Sequence, residues 1–205
     1  MMKKIICFIA IFMYLITSSG CASYRTSGAM PSTNIVDYSS RQTKEGITIA
    51  VGFLDNGEIS RVFQRNMRQV GIQPVFIIIQ NRGQEKLQFT REMVNWQTMF
   101  PNEAAKKCEF NVFMRVVWFS PLMISALFLP ILIPVIMNGM GATKSNAEML
   151  SDYSEKEIKF GYIKSGEKMQ GFVYLDARIE KRDLLISLLK INTGSQVNFN
   201  FINSN

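Results

Sequence analysis

The sequence contains no histidine among its 205 residues. Histidine is the usual general base at neutral pH and the commonest protein ligand of transition metals. Its absence excludes serine–histidine–aspartate and cysteine–histidine catalysis. The chain also has no glycine-rich phosphate loop, no metal-spaced ligand cluster and no Ser-x-x-Lys motif. We therefore expect a protein without enzymatic activity, metal or cofactor.

Cysteine is scarce as well, with three residues in the chain. Cys7 and Cys21 both lie in the N-terminal segment, which has the pattern of an export signal described below. If Cys7 leaves with that signal and Cys21 is modified, Cys108 has no partner for an intramolecular disulfide. We predict that Cys108 is a buried, small apolar residue.

Charged residues are few and scattered along the chain. Lysine and arginine outnumber the acids by 23 to 16, a net charge of +7 that falls to +5 when Lys3 and Lys4 leave with residues 1–20. No lysine and arginine block of the nucleic-acid-binding type is present, so nucleic acid is not expected as a partner. The modest positive excess fits anionic lipid or envelope polymers.

Carboxylates are the remaining route to hydrolysis, and two close pairs occur. Asp55 and Glu58 flank a turn-forming Asn-Gly, and Glu180 and Asp183 lie among basic residues. Solvated turns explain both pairs more simply than a buried catalytic pair does. A carboxylate hydrolase stays the less favoured alternative.

The first twenty-one residues have the pattern of a signal sequence. Lys3 and Lys4 precede an uncharged apolar stretch over residues 5–16, and small residues at 18–20 precede Cys21. The apolar stretch is short of the roughly 20 residues that a membrane span needs. An ordinary secretory signal cut nearby and an uncleaved anchor remain alternatives.

Ser19, Gly20 and Cys21 make this N-terminus resemble that of bacterial membrane lipoproteins, whose signal peptides end in a lipobox. Ser18 stands where an aliphatic residue is usual. The resemblance implies cleavage after Gly20 and acylation of Cys21 by diacylglycerol and an amide-linked chain such as palmitate. Several acyl chains make anchoring stable where a single chain is marginal.

The residue that follows the cysteine bears on location. In many lipoproteins an aspartate there favours the inner membrane, and this chain has Ala22 instead. The resemblance therefore implies the bacterial cell envelope, with the periplasmic face of the outer membrane favoured over the inner membrane.

A tether and one folded domain are expected after the signal. Residues 21–44 are rich in serine, threonine and small residues without apolar periodicity, which predicts a lipidated flexible tether. Residues 45–205 are predicted to form a single β-rich domain, since the 185 residues left after cleavage at Gly20 suffice for one core without disulfides.

Strand patterns occur in two parts of the domain, 46–100 and 156–201. Residues 47–53 alternate between apolar and small or polar, and residues 74–79 form a continuous β-branched and aromatic run typical of a buried central strand. We predict a hairpin of 75–79 with 87–89 and a four-stranded meander after residue 156.

Short helices are predicted at 59–70, from Glu103 after a cap at Asn102, and at 145–153. Together the two strand-rich parts predict an α+β fold, mainly an antiparallel β-sandwich. Its segments 75–89 and 160–175 resemble, in pattern alone, the immunoglobulin-like modules of surface lipoproteins.

Residues 116–142 form a second apolar segment, and they carry no charge. A straight helix of that length would measure about 40 Å, more than the roughly 30 Å hydrocarbon core. Pro121, Pro130 and Pro134 each remove a backbone donor. The segment therefore predicts an inserted, bent apolar helical hairpin.

This hairpin is predicted to contact the membrane or an envelope protein partner. The contacting residues are expected to include Trp118, Phe119, Leu127, Phe128, Ile131 and Ile133. One alternative is a true transmembrane helix at 116–140, in an integral inner-membrane accessory subunit of a transport or secretion assembly. Others are an internal core segment or the wall of a small-ligand pocket. The favoured hypothesis is a non-enzymatic lipoprotein that acts by positioning and contact at the membrane surface.

Overall fold

The structure, a computed structural model, describes residues 24–26, 28–110, 129–177 and 183–202, with the backbone alone for 129–140. The chain divides into two compact units. One unit comprises residues 1–25 and 109–149, and the other comprises residues 26–108 and 150–205. Every described strand belongs to the second unit.

The described elements are nine strands, three α-helices and three single-turn 3-10 helices. The strands are β1 (Arg41–Lys44), β2 (Ile47–Phe53), β3 (Ile72–Asn81), β4 (Leu87–Phe89), β5 (Thr98–Met99), β6 (Gly161–Ile163), β7 (Lys168–Asp176), β8 (Leu184–Lys190) and β9 (Gln196–Phe201). The α-helices are α1 (Asn56–Phe63), α2 (Pro101–Cys108) and α3 (Leu129–Lys156). The 3-10 helices are Ile35–Asp37, Met67–Val70 and Arg91–Met93.

Two antiparallel sheets organise the second unit, which confirms the α+β class. The first sheet has the order β1-β2-β3-β7-β5 and the second has the order β6-β4-β8-β9. The predicted hairpin of 75–79 with 87–89 is wrong, because β3 pairs with β2 and β7 while β4 lies in the second sheet. The predicted meander is wrong too, since β7 leaves its neighbours to join the first sheet. Each sheet thus combines strands from both predicted parts of the chain.

The inner faces of the two sheets share one hydrophobic core. Alternate side chains of β2 and β3 point into it, as the alternation of residues 47–53 predicts. Strands β4, β8 and β9 supply the opposite side. The main contributors are Ile47, Ile49, Val51, Val75, Ile77, Ile79, Leu87, Phe89, Leu184, Ile186, Leu188, Val197, Phe199 and Phe201.

An aromatic layer covers the outer face of the first sheet. The ring of Phe76 on β3 lies 5.0 Å from that of Phe172 on β7, and Phe63 of α1 packs edge-on at 4.8 Å from Phe172. Tyr153, near the end of α3, lies 5.3 Å from Phe63. Strand β3 is consequently buried on both faces, and its continuous apolar run correctly predicted a buried central strand.

Helix α1 begins with a reciprocal cap and ends early. The Asp55 carboxylate accepts from the Glu58 N–H at 2.7 Å, and the Glu58 carboxylate accepts from the Asp55 N–H at 2.9 Å. Gln64 then adopts a left-handed conformation with φ 55°. The predicted continuous helix to residue 70 is therefore wrong, and Met67–Val70 is a separate 3-10 turn.

Part of the segment predicted as a tether has regular structure. Strand β1 occupies residues 41–44 and pairs with β2 through a two-residue turn at Glu45 and Gly46. Both turn residues have positive φ, 51° and 77°, as the hairpin turn that matches strand twist requires. The domain boundary predicted at residue 45 thus lies after the first strand.

Helix α3 is longer than the predicted helix at 145–153. It is a continuous helical element from residue 129, so the turn of a hairpin does not lie at Pro130 or Pro134. Residues 116–128, the rest of the predicted hairpin, lie outside the described residues. Within the described ranges, no helix combines the length and the apolarity that crossing a membrane demands.

Candidate functional site

Most of the predicted site residues lie outside the described part of the chain. Gly20 and Cys21 belong to it, as do four of the predicted contact residues, Trp118, Phe119, Leu127 and Phe128. Ile131 and Ile133 lie in helix α3, where the backbone alone is described. Their roles therefore stay predictions.

The acid pairs have structural partners. Asp55 and Glu58 form the cap of α1. Asp183 accepts from the Asn200 side-chain amide at 3.2 Å, and Glu180 lies outside the described residues. Among the described residues, no group of three or more cysteines, aspartates and glutamates is placed to hold a metal ion.

Cys108, the last residue of α2, is buried as predicted. Burial raises the pKa of its thiol, although a hydrogen bond with Tyr153 and the charges of Arg65 and Lys107 act in the opposite direction. A neutral thiol is a poor nucleophile, so the side chain behaves as a small apolar residue.

A groove of about 590 Å³ opens beside the end of strand β2. One wall is formed by residues 29–32 and 37–40, and the other contains Glu58 and Arg61 of helix α1. Gly52 forms part of the floor, where a Cβ would lie only 2.7 Å from Cε1 of Tyr38. The missing side chain lets the Tyr38 ring rest against the sheet, 6.2 Å from the ring of Phe76.

Polar groups in the groove mainly hold its own wall in place. The Tyr38 hydroxyl donates to the Ser32 carbonyl at 2.6 Å, and the Asp37 carboxylate accepts from the Ser32 hydroxyl and from Asn34 at 3.3 Å. Burial, with the nearby carboxylates of Asp37 and Glu58, raises the pKa of Tyr38 to about 12. The groove therefore keeps a neutral phenol.

Sequence reasoning missed this wall because its composition predicts a tether. Neither Tyr38 nor Asp37 belongs to a periodic apolar pattern. The Tyr38 ring packs on Gly52 of β2 and Phe76 of β3, which are distant in sequence. The one local signal is Tyr38 itself, an aromatic residue in a stretch of small and polar residues.

A second arrangement lies in the first unit, where two chain segments meet on helix α3. The Tyr24 N–H donates to Ser145 Oγ at 3.1 Å, and both residues are buried. One residue further along, Asn146 accepts from the Phe110 N–H at 3.0 Å and donates to the Phe110 carbonyl at 3.4 Å. We call Tyr24, Phe110, Ser145 and Asn146 the anchor junction.

The anchor junction constrains Cys21 by chain length alone. Three residue steps separate Cys21 from Tyr24, and an extended chain spans at most about 3.6 Å per residue. Cys21 therefore lies within about 11 Å of Tyr24. Tyr24 and Ser145 are 121 positions apart, so no local pattern in the sequence predicts the junction.

Comparison with protein-family models, with curated proteins and with solved structures finds no match for this chain.

Proposed function

We propose that this protein is a non-enzymatic lipoprotein of the bacterial cell envelope, anchored by acylated Cys21. The observation that carries the proposal is the N-terminal pattern of a basic start, an apolar stretch and Ser19-Gly20-Cys21. Its mechanism is positioning, in which the acyl chains hold the chain at the membrane. The periplasmic face of the outer membrane is the proposed location, given Ala22.

The anchor junction supports a close connection between anchor and protein. Only Ala22 and Ser23 separate Cys21 from Tyr24, whose N–H is bound to Ser145. A connection of only two residues between the proposed acyl chains and a residue with a described partner supports a positioning role. The proposed partner is another envelope protein, and no nucleic acid or cofactor is required.

The proposal includes the finer assignment of the two sheets to an immunoglobulin-like sandwich. Its support is the strand-turn-strand pattern at 75–89 and 160–175 and the core shared by the sheets. Such sandwiches commonly serve as rigid contact modules in extracellular proteins.

Metabolic labelling tests the anchor directly. Cells that express the wild type, Cys21→Ala or Cys108→Ala are grown with a clickable palmitate analogue, and the purified protein is probed for label. We expect label in the wild type and in Cys108→Ala, which leaves the lipobox intact, and loss of label in Cys21→Ala. Equal label in the wild type and in Cys21→Ala would refute the proposed function.

A further inference from the structure

We infer that helix α3 enters the same membrane leaflet that holds the acyl chains of Cys21, with the membrane surface meeting the helix at residues 142–146. This inference rests on the proposed function and adds a second membrane contact to the lipid anchor.

The first observation is the distribution of charge along the helix. Residues 129–142 of α3 carry no charge, whereas Lys144, Glu148 and Asp152 follow within three turns. At 1.5 Å per residue the uncharged part is about 20 Å long, within the roughly 30 Å hydrocarbon core. Apart from the donors that Pro130 and Pro134 lack, the interior of a helix satisfies its own backbone hydrogen bonds, as a lipid environment requires.

The second observation is that the anchor junction lies at the same point of the helix. Ser145 and Asn146 follow directly on the change from uncharged to charged sequence. Cys21, within about 11 Å of Tyr24, must place its acyl chains in the membrane close to this point. The proposed lipid and the uncharged part of α3 are therefore both connected to the anchor junction within a short length of chain.

The third observation concerns the side chains at the proposed boundary. Ala142 and Ser145 are buried, while the Lys144 side chain is 80% exposed, with its ammonium 3.8 Å from the Glu148 carboxylate. A lysine at the end of an apolar helix keeps its stem along apolar surface and its charge among the headgroups. This is the chemistry expected where a helix leaves lipid.

Depth-dependent quenching tests the inference on the lipidated, full-length protein. In a Cys108→Ala background, Ile133→Cys or Leu150→Cys is labelled with an environment-sensitive fluorophore and reconstituted in vesicles of phosphatidylethanolamine and phosphatidylglycerol. Leu150 is the matched control, since it lies on the same helix beyond the boundary and is 40% exposed. We expect doxyl-labelled lipid to quench the probe at 133 several-fold more than the probe at 150, and aqueous iodide to show the reverse order.

Two results would overturn the inference. Quenching at 133 by iodide would mean that this part of the helix lies in water, and protection from both quenchers would mean that protein covers it. Palmitate labelling of the same preparation separates the two proposals. Label on Cys21 with no lipid quenching at 133 contradicts the inference alone. Lipid quenching without label contradicts the proposed function and the shared leaflet, and only the contact of α3 with lipid then stands.

Discussion

Gly171 occupies a crossing point between two stretches of backbone. A Cβ at this position would lie 2.5 Å from both Cα and N of Ile158, where the chain after helix α3 passes over strand β7. Its φ of 155° is also rare for a residue with a side chain. The residue type at this position is therefore set by tertiary contact.

We predict that Gly171→Ala lowers the free energy of unfolding by about 2–3 kcal/mol, because backbone must shift to admit the methyl group. Urea denaturation measures the change. Gly28→Ala is the control, since no atom lies within 4 Å of a Cβ there, and its effect should stay within about 0.5 kcal/mol. Equal stabilities for the two variants would contradict the crossing geometry.

Tyr38 should titrate unusually late. Its pKa is raised from 10.0 to about 12, mainly by burial and then by Asp37 and Glu58. The unfolded chain loses this proton first, so the contribution of Tyr38 to stability is complete below pH 10 and is lost as the pH rises toward 12. The difference in phenolate absorbance between wild type and Tyr38→Phe should therefore develop near pH 12. A difference that develops near pH 10 would show that Tyr38 is solvated.

At the scale of elements, the part of α3 that belongs to the second unit contains a buried ion pair. The Lys156 ammonium lies 2.6 Å from the Asp152 carboxylate one turn earlier and donates to the Val62 carbonyl at 2.7 Å. The ammonium also lies 5.4 Å from the centre of the Phe63 ring. Removing one charge leaves the other buried, which costs more than the pair itself contributes.

Asp152→Ala should accordingly destabilise the protein by about 3 kcal/mol. The double variant Asp152→Leu/Lys156→Met buries no charge and should lose clearly less than the single variant. Chemical denaturation of the three proteins measures both effects. A double variant as unstable as Asp152→Ala would show that packing, rather than the unpaired ammonium, sets the loss.

The two sheets are also joined along one pair of edge strands. Lys44 Nζ donates to the Asn198 carbonyl at 2.5 Å, and the Gln42 side chain donates to the Asn200 carbonyl. Side chains of edge strand β1 thus occupy acceptors on edge strand β9. An edge whose acceptors are occupied offers less template for pairing with another chain.

For the molecule as a whole, the proposed anchor determines how many cysteine thiols can react with a reagent. Under the proposed function, cleavage would remove Cys7 and acylation would block Cys21, while Cys108 is buried with a raised pKa. We predict that a thiol reagent finds almost no reactive cysteine in the native mature protein and one per chain in guanidinium. Two thiols in guanidinium would show that Cys21 is not acylated, and rapid reaction in the native protein would contradict the burial of Cys108.

The buried faces of strands β2 and β3 were predicted correctly from local sequence pattern. Alternation over residues 47–53 marks one buried face, and the continuous run at 74–79 marks two, because side-chain direction repeats every two residues. The same patterns say nothing about which strand lies alongside. β7 was therefore expected in a meander, although nine of its residues pair with β3.

Local sequence pattern does not predict the wall of the groove or the anchor junction, for a related reason. Ser32 and Tyr38 lie in a stretch that has no periodicity, and they acquire order from hydrogen bonds and from a ring packed over Gly52. Tyr24 acquires its partner from a residue 121 positions away. Such contacts depend on the closed fold, so composition alone predicts a flexible segment.

The sequence by itself determined the absence of histidine, the N-terminal order of basic start, apolar stretch and Ser19-Gly20-Cys21, and the uncharged segment 116–142, because these are properties of residue type and order. Tertiary structure alone decided that both sheets mix strands from the two parts of the chain, and that Tyr24 and Phe110 meet at residues 145–146 of α3. The physical reason is that periodicity shows which face of an element is buried, whereas partners far apart in sequence are selected only when the chain closes on itself.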